Sequence, residues 1–225
     1  AIAVSPYDSQ HVAITWHDTC KAPRQPFCLS TSKDGGATWM LFDGPSSIPN
    51  WEITGWIEAS AVSILGPTSY LLTTPAGVWY SGDTGGSWFQ VAAETVYASY
   101  SGSSVIAGGD LFIAGAGHIL KSPGAPGSDP PFEVGTSHTV MPLEGSPTVT
   151  SLVTDGKSLF VGSSREGEHQ LWSAALADTG TWKQTADTIC NGTVCRGPNA
   201  MAYDPVHRVV YAANWGSGLW RYVVE

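Results

Sequence analysis

The sequence predicts an all-β protein that folds as a single five-bladed β-propeller, and three observations support this. An apolar strand that follows a tight turn recurs five times, and the copies starting at His11, Ser69, Asp110, Ser158 and Arg208 are 58, 41, 48 and 50 residues apart. Such spacing is typical of blades built from four short strands. The 26 glycines and 15 prolines supply many turns and interrupt every window in which a long helix could begin. A hydrophobic content of 42% is enough for a packed core.

Each copy is flanked by segments that complete a blade. An apolar inner strand precedes it and a third strand follows it; we place the fourth strand of the third blade at residues 132–134. The fifth copy ends after its third strand, so we expect a last blade of three strands, or a closure that the sequence does not reveal. The expected blades are residues 1–45, 46–93, 94–135, 136–186 and 187–225, in one domain spanning 1–225.

One eight-residue segment occurs twice, at residues 32–39 and 81–88, and both copies fit the pattern SxDxGx[ST]W. A glycine at the sharpest point and an Asp and a Ser that can bond backbone N–H groups predict a self-locked turn. The motif resembles the Asp-box, or BNR repeat, of sialidase-like and sortilin-like β-propellers. We interpret residues 178–182 as a third, decayed copy that follows a two-residue insertion.

This resemblance implies that the repeated turns join the third and fourth strands, away from the usual ligand face of a propeller. Asp34, Asp83 and Asp178 are then structural, and Trp39, Trp88 and Trp182 are expected to be wedges between blades. No active site transfers with the resemblance. The five arginines do not occur in the contexts of the sialidase arginine trio, so sialidase activity is not expected. Family-74 xyloglucan hydrolases resemble the chain in their repeats, but they use two larger propellers.

Charge and cysteine content narrow the classes of function. A net charge of −9, with ten Lys and Arg spread thinly, argues against nucleic acid as a partner, and no apolar run is long enough for a membrane-spanning helix. Four cysteines fall as two close pairs, Cys20 with Cys28 and Cys190 with Cys195. Three pairings are possible, and disulfides are favoured over zinc because no CxxC spacing occurs. Together with a glycosylation sequon at Asn191, they predict a secreted protein.

The candidate functional residues lie in the loops that do not repeat. They are Trp16, His17 and Asp18 in the first blade, Trp51, Trp56 and Glu58 at the start of the second, His118 in the third, Arg165 and His169 in the fourth, and Asn214 and Trp215 in the fifth. Aromatic faces for stacking and charged groups for hydroxyls are what a carbohydrate or small-organic pocket needs. We therefore expect one asymmetric ligand site at the mouth of the propeller channel.

Several of these residues have two interpretations. Glu58 is either a general acid or base with a pKa raised by tryptophan rings, or a hydrogen-bonding group in a wet channel. Asp18 is either the second carboxylate of a hydrolytic pair or the cap of a turn. His17, His118 and His169 show no ligand spacing, so neither a metal nor another cofactor is expected. Arg165 either clamps a carboxylate or belongs to an exposed ion-paired loop.

Three classes of function remain open. The leading hypothesis is recognition of a carbohydrate or similar organic ligand at a single site; a lectin with one site per blade is disfavoured because the loops differ between blades. The second is a cofactor-independent enzyme that uses Glu58 and Asp18: a glycoside hydrolase, a lyase, or a cyclase acting on a small natural product. The third is a scaffold for protein contacts.

Overall fold

The computed structural model of the chain describes twelve stretches of sequence, and all their regular structure is β. The described residues are 1–16, 20, 27–46, 61–74, 76–93, 104–115, 117–124, 139–143, 149–163, 171–184, 197–214 and 218–224. Nineteen strands there form five antiparallel sheets, four with four strands and the last with three. The predicted five-bladed β-propeller with a three-stranded last blade is confirmed. No helix in these stretches has the length and apolarity to cross a membrane.

The described strands fall into two compact units, and the first unit contains the first two sheets. Their strands, in chain order, are β1 (Ile2–Val4), β2 (Val12–Thr15), β3 (Cys28–Ser32), β4 (Met40–Asp43), β5 (Ala61–Ile64), β6 (Tyr70–Thr74), β7 (Gly77–Ser81) and β8 (Phe89–Ala92). Within each sheet every strand pairs with the next one along the chain.

The first unit has a core between its two sheets. Ala13 and Leu29 of the first sheet pack with Val62, Ile64 and Tyr70 of the second, and all five are at most 5% exposed. Each fully buried large side chain contributes about 1.5–3 kcal/mol. Strands β6 and β7 are buried along their whole length, and each contains a run of three large apolar or aromatic residues.

The second unit contains the other three sheets. Their strands are β9 (Ser104–Ala107), β10 (Asp110–Ala114), β11 (His118–Ser122), β12 (Thr139–Pro142), β13 (Val149–Thr154), β14 (Ser158–Ser163), β15 (Leu171–Ala175), β16 (Asp178–Gln184), β17 (Pro198–Asp204), β18 (Val209–Asn214) and β19 (Gly218–Val223). A core cluster joins the fourth and fifth sheets through Phe160, Leu171, Val210 and Val224.

Two sequence predictions about the outer strands are wrong. The strand that pairs with β11 is β12, Thr139–Pro142, so the third sheet extends past residue 135; the predicted segment 132–134 lies outside the described residues. In the fourth sheet, residues 178–182 are not a decayed copy of the repeated turn. They belong to β16, which β15 reaches through a two-residue turn at Leu176 and Ala177.

One of the two predicted cysteine pairs is a disulfide in the structure. Cys20 and Cys28 are bonded, with their Cα atoms 6.1 Å apart, and the bridge fastens the segment before β3 to that strand. Cys190, Cys195 and Asn191 lie outside the described residues.

Candidate functional site

In each sheet the second and third strands are joined at one end, and the predicted ligand residues that the structure describes lie at that end. Trp16 follows β2, His118 begins β11, and Asn214 is the last residue of β18. The remaining predicted site residues lie outside the described part of the chain: His17, Asp18, Trp51, Trp56, Glu58, Arg165, His169 and Trp215.

Asn214 is the described residue whose chemistry points most directly to a ligand. Its side chain is buried, with 8% exposure for the residue, and among the described residues neither its oxygen nor its nitrogen has a hydrogen-bond partner. A buried polar group without a partner costs about 1–3 kcal/mol. An amide with one acceptor and two donors that no described residue satisfies, at the strand end where the predicted ligand residues lie, is a candidate for binding a polar ligand.

The backbone around Asn214 is held in place by a tightly packed polar cluster. Asn214 pairs in register with Pro198 of β17, and the Pro198 carbonyl accepts hydrogen bonds from the hydroxyls of Thr150 and, at 3.4 Å, Ser151. A side chain at Gly162 would come within 2.4 Å of the Ser151 hydroxyl, so glycine alone fits there. This packing fixes the position from which the Asn214 amide is presented.

The cluster includes buried residues that the sequence analysis missed. Thr150 and Ser151 are 1% and 0% exposed, although both carry hydroxyl groups and lie near the start of strand β13. Two adjacent hydroxyl residues next to the apolar residues of a strand are the signal that could have identified them.

Trp16 combines a fixed orientation with an accessible face. Its indole Nε1 donates to the Ser30 hydroxyl at 3.0 Å, and the residue is 50% exposed. A ring held in this way offers a flat apolar surface on which a ligand can stack.

His118 has a local packing role in the structure. Its imidazole lies over Gly115, where a Cβ atom would approach Nε2 to 2.5 Å, and its backbone carbonyl accepts a hydrogen bond from the Gly115 N–H at 2.9 Å. The ring therefore occupies the space that the missing side chain leaves. Among the described residues, no group of three His, Cys, Asp or Glu side chains is arranged to hold a metal ion.

The repeated segments at residues 32–39 and 81–88, here named the Ser–Asp turns, have matching hydrogen bonds. In the second, the Ser81 hydroxyl donates to Asp83 at 2.9 Å, and Asp83 accepts from the N–H and the hydroxyl of Ser87 at 2.8 and 2.7 Å. The Gly85 N–H donates to the Ser81 hydroxyl at 2.8 Å. In the first turn, Asp34 accepts the corresponding bonds from Ser32 and Thr38, and the Gly36 N–H donates to the Ser32 hydroxyl.

These bonds keep both carboxylates ionised. Hydrogen bonds from Thr38, first from its hydroxyl and second from its backbone N–H, lower the pKa of Asp34 to about 2. The hydroxyl and backbone N–H of Ser87 lower the pKa of Asp83 in the same way. A general acid needs a raised pKa rather than a lowered one. The turns are therefore structural, as predicted.

The tryptophans that close the two Ser–Asp turns differ. Trp88 packs against the cores of the first unit and donates its Nε1–H to the Asp43 carbonyl at 3.0 Å, which confirms the predicted wedge. Trp39 instead donates to the Gly36 carbonyl of its own turn and stays 44% exposed, so the wedge prediction is wrong for it. A cleft of about 580 Å³ opens beside Trp88, between Phe42 and the second turn.

No protein-family model and no curated protein matches the chain. Solved structures do resemble it. A GH74 enzyme from Niastella koreensis aligns at 16% identity and a TM-score of 0.63 over 98% of this chain and 37% of its own. A GH74 xyloglucanase from Xanthomonas campestris gives 16% identity, a TM-score of 0.62, and coverage of 99% and 36%.

A proposed 6-phosphogluconolactonase from Bacteroides uniformis aligns at 18% identity and a TM-score of 0.61, over 100% of this chain and 67% of its own. The chain thus spans little more than a third of the length of the two GH74 enzymes, at 37% and 36%. At such identities the likeness is one of fold, and the class of protein that it defines is the β-propeller.

Proposed function

We propose that this protein binds a carbohydrate or a similar polar organic ligand at one asymmetric site, located where the second and third strands of its blades are joined. The observation that carries the proposal is the buried, unpartnered amide of Asn214. Carbohydrate hydroxyls both donate and accept hydrogen bonds, so one hydroxyl pair can satisfy the oxygen and nitrogen of an amide. Trp16, exposed and oriented by Ser30, belongs to the same set of predicted ligand residues and offers a flat surface of the kind on which sugars stack.

Two further observations support a carbohydrate. The GH74 xyloglucanase and the proposed 6-phosphogluconolactonase with this fold act, by their names, on carbohydrate substrates. The net charge of −9 disfavours polyanionic ligands and is compatible with neutral sugars. The predicted residues His17, Trp51, Trp56, Arg165, His169 and Trp215 complete the proposed site.

The test replaces Asn214 by Leu, which branches at the same atom but is somewhat larger and has no polar atoms. Because the wild-type amide is buried without a partner, we expect Asn214→Leu to keep or raise the melting temperature while it abolishes ligand binding. Binding is measured by glycan-array screening of the purified protein, followed by ligand-dependent melting with the oligosaccharides that bind.

A matched control separates this effect from a general loss of stability. Thr154 is the last residue of β13, at the end of that strand opposite Thr150. Its hydroxyl donates to the Ser158 carbonyl at 2.8 Å and accepts from the Gly156 N–H at 3.0 Å. Thr154→Val should lower the melting temperature and leave binding unchanged. An Asn214→Leu protein that melts several degrees lower would show that the amide is structural. The absence of any binding across broad glycan panels would eliminate the carbohydrate hypothesis.

The enzyme hypothesis remains the alternative, with Glu58 and Asp18 as the acid and base of a hydrolase, lyase or cyclase that needs no cofactor. Glu58→Gln should abolish turnover of a ligand found in the screen and leave the melting temperature nearly unchanged. Full activity of this variant would move the chemistry to another residue, and a failure to fold would make Glu58 structural. The scaffold hypothesis predicts protein partners and no small ligand.

The remaining features form one consistent proposal. The two Ser–Asp turns are Asp-boxes of the BNR type, and the whole chain is a single propeller domain. The protein is a secreted glycoprotein, with Cys190 bonded to Cys195 and a glycan on Asn191. Mass spectrometry of protein from its native source, with and without reduction, tests the second disulfide and the glycan directly.

A further inference from the structure

The cleft beside Trp88 lies in the first unit and shares no lining residue with the ligand site at Trp16 and Asn214. Its lining comes from two segments, Leu41 to Ser46 at the end of β4 and Gly85 to Trp88 in the second Ser–Asp turn. The volume of about 580 Å³ is within the range of pockets that hold small organic molecules.

The two aromatic rings of the lining are held in place by their surroundings. Phe42 packs directly on Gly85, where a Cβ atom would lie 3.1 Å from the Phe42 Cβ. Gly85 also has a φ of 90°, so glycine is required there on both counts. Trp88 packs against the cores of the first unit, and its Nε1–H bond to the Asp43 carbonyl, 3.0 Å long, fixes the indole. The cleft therefore has preformed aromatic walls.

Hydrogen-bond donors of the lining are used within the protein. The Trp88 Nε1–H bonds the Asp43 carbonyl, and the N–H and hydroxyl of Ser87 both bond Asp83. The Gly85 N–H bonds the Ser81 hydroxyl. An anionic ligand needs donors from its site, whereas a cation needs aromatic faces and acceptors. The engaged donors therefore favour a cation.

The charge of the cleft also favours a cation. Asp43 is the charged residue of the described lining. The carboxylate of Asp83 lies directly behind Gly86, where a Cβ atom would be 3.1 Å from Oδ2, and the bonds from Ser87 keep it ionised. Aromatic rings attract cations through the negative potential of their faces, and Trp does so most strongly.

We propose that this cleft binds an organic cation with a methylated ammonium group, which lies against Phe42 and Trp88 while Asp43 and Asp83 balance its charge. A primary ammonium is strongly hydrated and loses that hydration beside aromatic rings, so it fits less well than a methylated one. The ligand differs in class from the carbohydrate proposed for the site at Asn214, and the two proposals are independent.

The test is an NMR titration of the isotope-labelled full chain with choline. Its control is 3,3-dimethyl-1-butanol, which has the same shape but carries carbon in place of the charged nitrogen. The Trp88 indole N–H reports on the cleft, and that of Trp39, bonded to the Gly36 carbonyl of the matching turn, is the internal control. Trp88→Phe and Trp39→Phe assign the two signals.

Choline should shift the Trp88 signal and leave the Trp39 signal in place. It should also bind about fivefold or more tightly than the neutral alcohol, because the alcohol has the shape without the charge.

Two variants test the walls separately. Asp43→Asn keeps the backbone carbonyl that Trp88 bonds, and Phe42→Leu keeps an apolar wall without a ring. Each should weaken choline binding about two- to fivefold, and Asp43→Asn should leave the affinity for the neutral alcohol unchanged. Trp39→Phe and Asn214→Leu should bind choline as the wild type does. Melting curves show that each variant is folded, and either wall variant alone suffices for the test.

Four results would overturn the proposal. A Trp88 signal that does not move in tens of millimolar choline would show that the cleft takes no such cation. Equal affinity for choline and the neutral alcohol would remove the role of charge. Ethanolamine binding as tightly as choline would reduce the site to a simple ion pair. Unchanged choline affinity in the wall variants would place the cation elsewhere.

Discussion

At the scale of single residues, the two Ser–Asp turns provide a matched pair of backbone positions. Gly35 and Thr84 occupy the same place in the repeat and have φ values of 68° and 64°. This left-handed conformation costs an ordinary L-residue about 1–2 kcal/mol, and it is rare for a β-branched residue. The second turn therefore carries a strain that the first one avoids.

Thr84→Gly is expected to raise the free energy of unfolding by about 1 kcal/mol, because the turn keeps its bonds and loses its strain. The backbone bond from Thr84 N–H to the Thr68 carbonyl, 2.8 Å long, does not depend on the side chain. The reverse substitution in the first turn, Gly35→Thr, should lower the free energy of unfolding by a similar amount. Urea unfolding followed by circular dichroism measures both. If neither variant changes the midpoint, the turns relax and the strain argument is wrong.

At the scale of elements, the two tryptophans of the Ser–Asp turns show that identical local structure can have different tertiary roles. Trp88 is wedged against the cores of the first unit, whereas Trp39 bonds only within its own turn and is 44% exposed. We expect Trp88→Ala to cost about 2–4 kcal/mol, somewhat less than the loss of a fully buried aromatic residue, because Trp88 is partly buried. Trp39→Ala should cost about 1 kcal/mol, since little packing is lost.

Equilibrium unfolding in guanidinium distinguishes the two variants, and Trp88→Phe is the intermediate case because it keeps a ring but loses the bond to the Asp43 carbonyl. Equal losses from the two alanine variants would show that Trp39 is as important to packing as Trp88.

The elements also show where sequence patterns succeed. Strands that are buried on both faces, such as β6 and β14, are predicted to start within a residue of their observed first residues, because burial on both faces dictates their composition. The fourth strand of the third blade is misplaced because residues 132–134 and Thr139–Pro142 have similar short apolar patterns. Only tertiary pairing with β11 selects between them, and a single sequence does not contain that information.

At the scale of the whole molecule, the repeat predicts the number of blades, whereas the site is only partly predictable. Asn214 and Trp16 are predicted as ligand residues because the loops they border break the repeat. Their proposed roles depend on the Asn214 amide having no partner among the described residues and on the bond that orients Trp16, and neither feature follows from residue type. Thr150 and Ser151 are missed because their hydroxyls bond carbonyls from distant strands.

The pH dependence of stability is also a property of the whole molecule. One buried pair, His11 with Tyr70, contributes to this dependence just below neutral pH. His11, 2% exposed, lies with its Nε2 2.6 Å from the hydroxyl of buried Tyr70 and links the first two sheets. The pKa of His11 is lowered mainly by burial and secondly by the positive charge of Lys33, while the negative charge of Asp8 partly opposes this shift. A histidine in the unfolded chain has a pKa of about 6.5.

As the pH falls below about 6.5, the unfolded chain therefore binds a proton that the folded protein does not, and stability is lost until the pH reaches the lowered pKa of His11. The lowered pKa values of Asp34 and Asp83 act in a separate range, below about pH 4, where unfolded carboxylates titrate.

The wild-type melting temperature should thus fall between pH 7 and 5. His11→Gln, which keeps a polar partner for Tyr70, should flatten this part of the curve, whereas Tyr70→Phe should lower the whole curve and keep its slope. Calorimetric scans at half-unit pH steps provide the measurement, and an unchanged slope in His11→Gln would show that another group controls acid stability in this range.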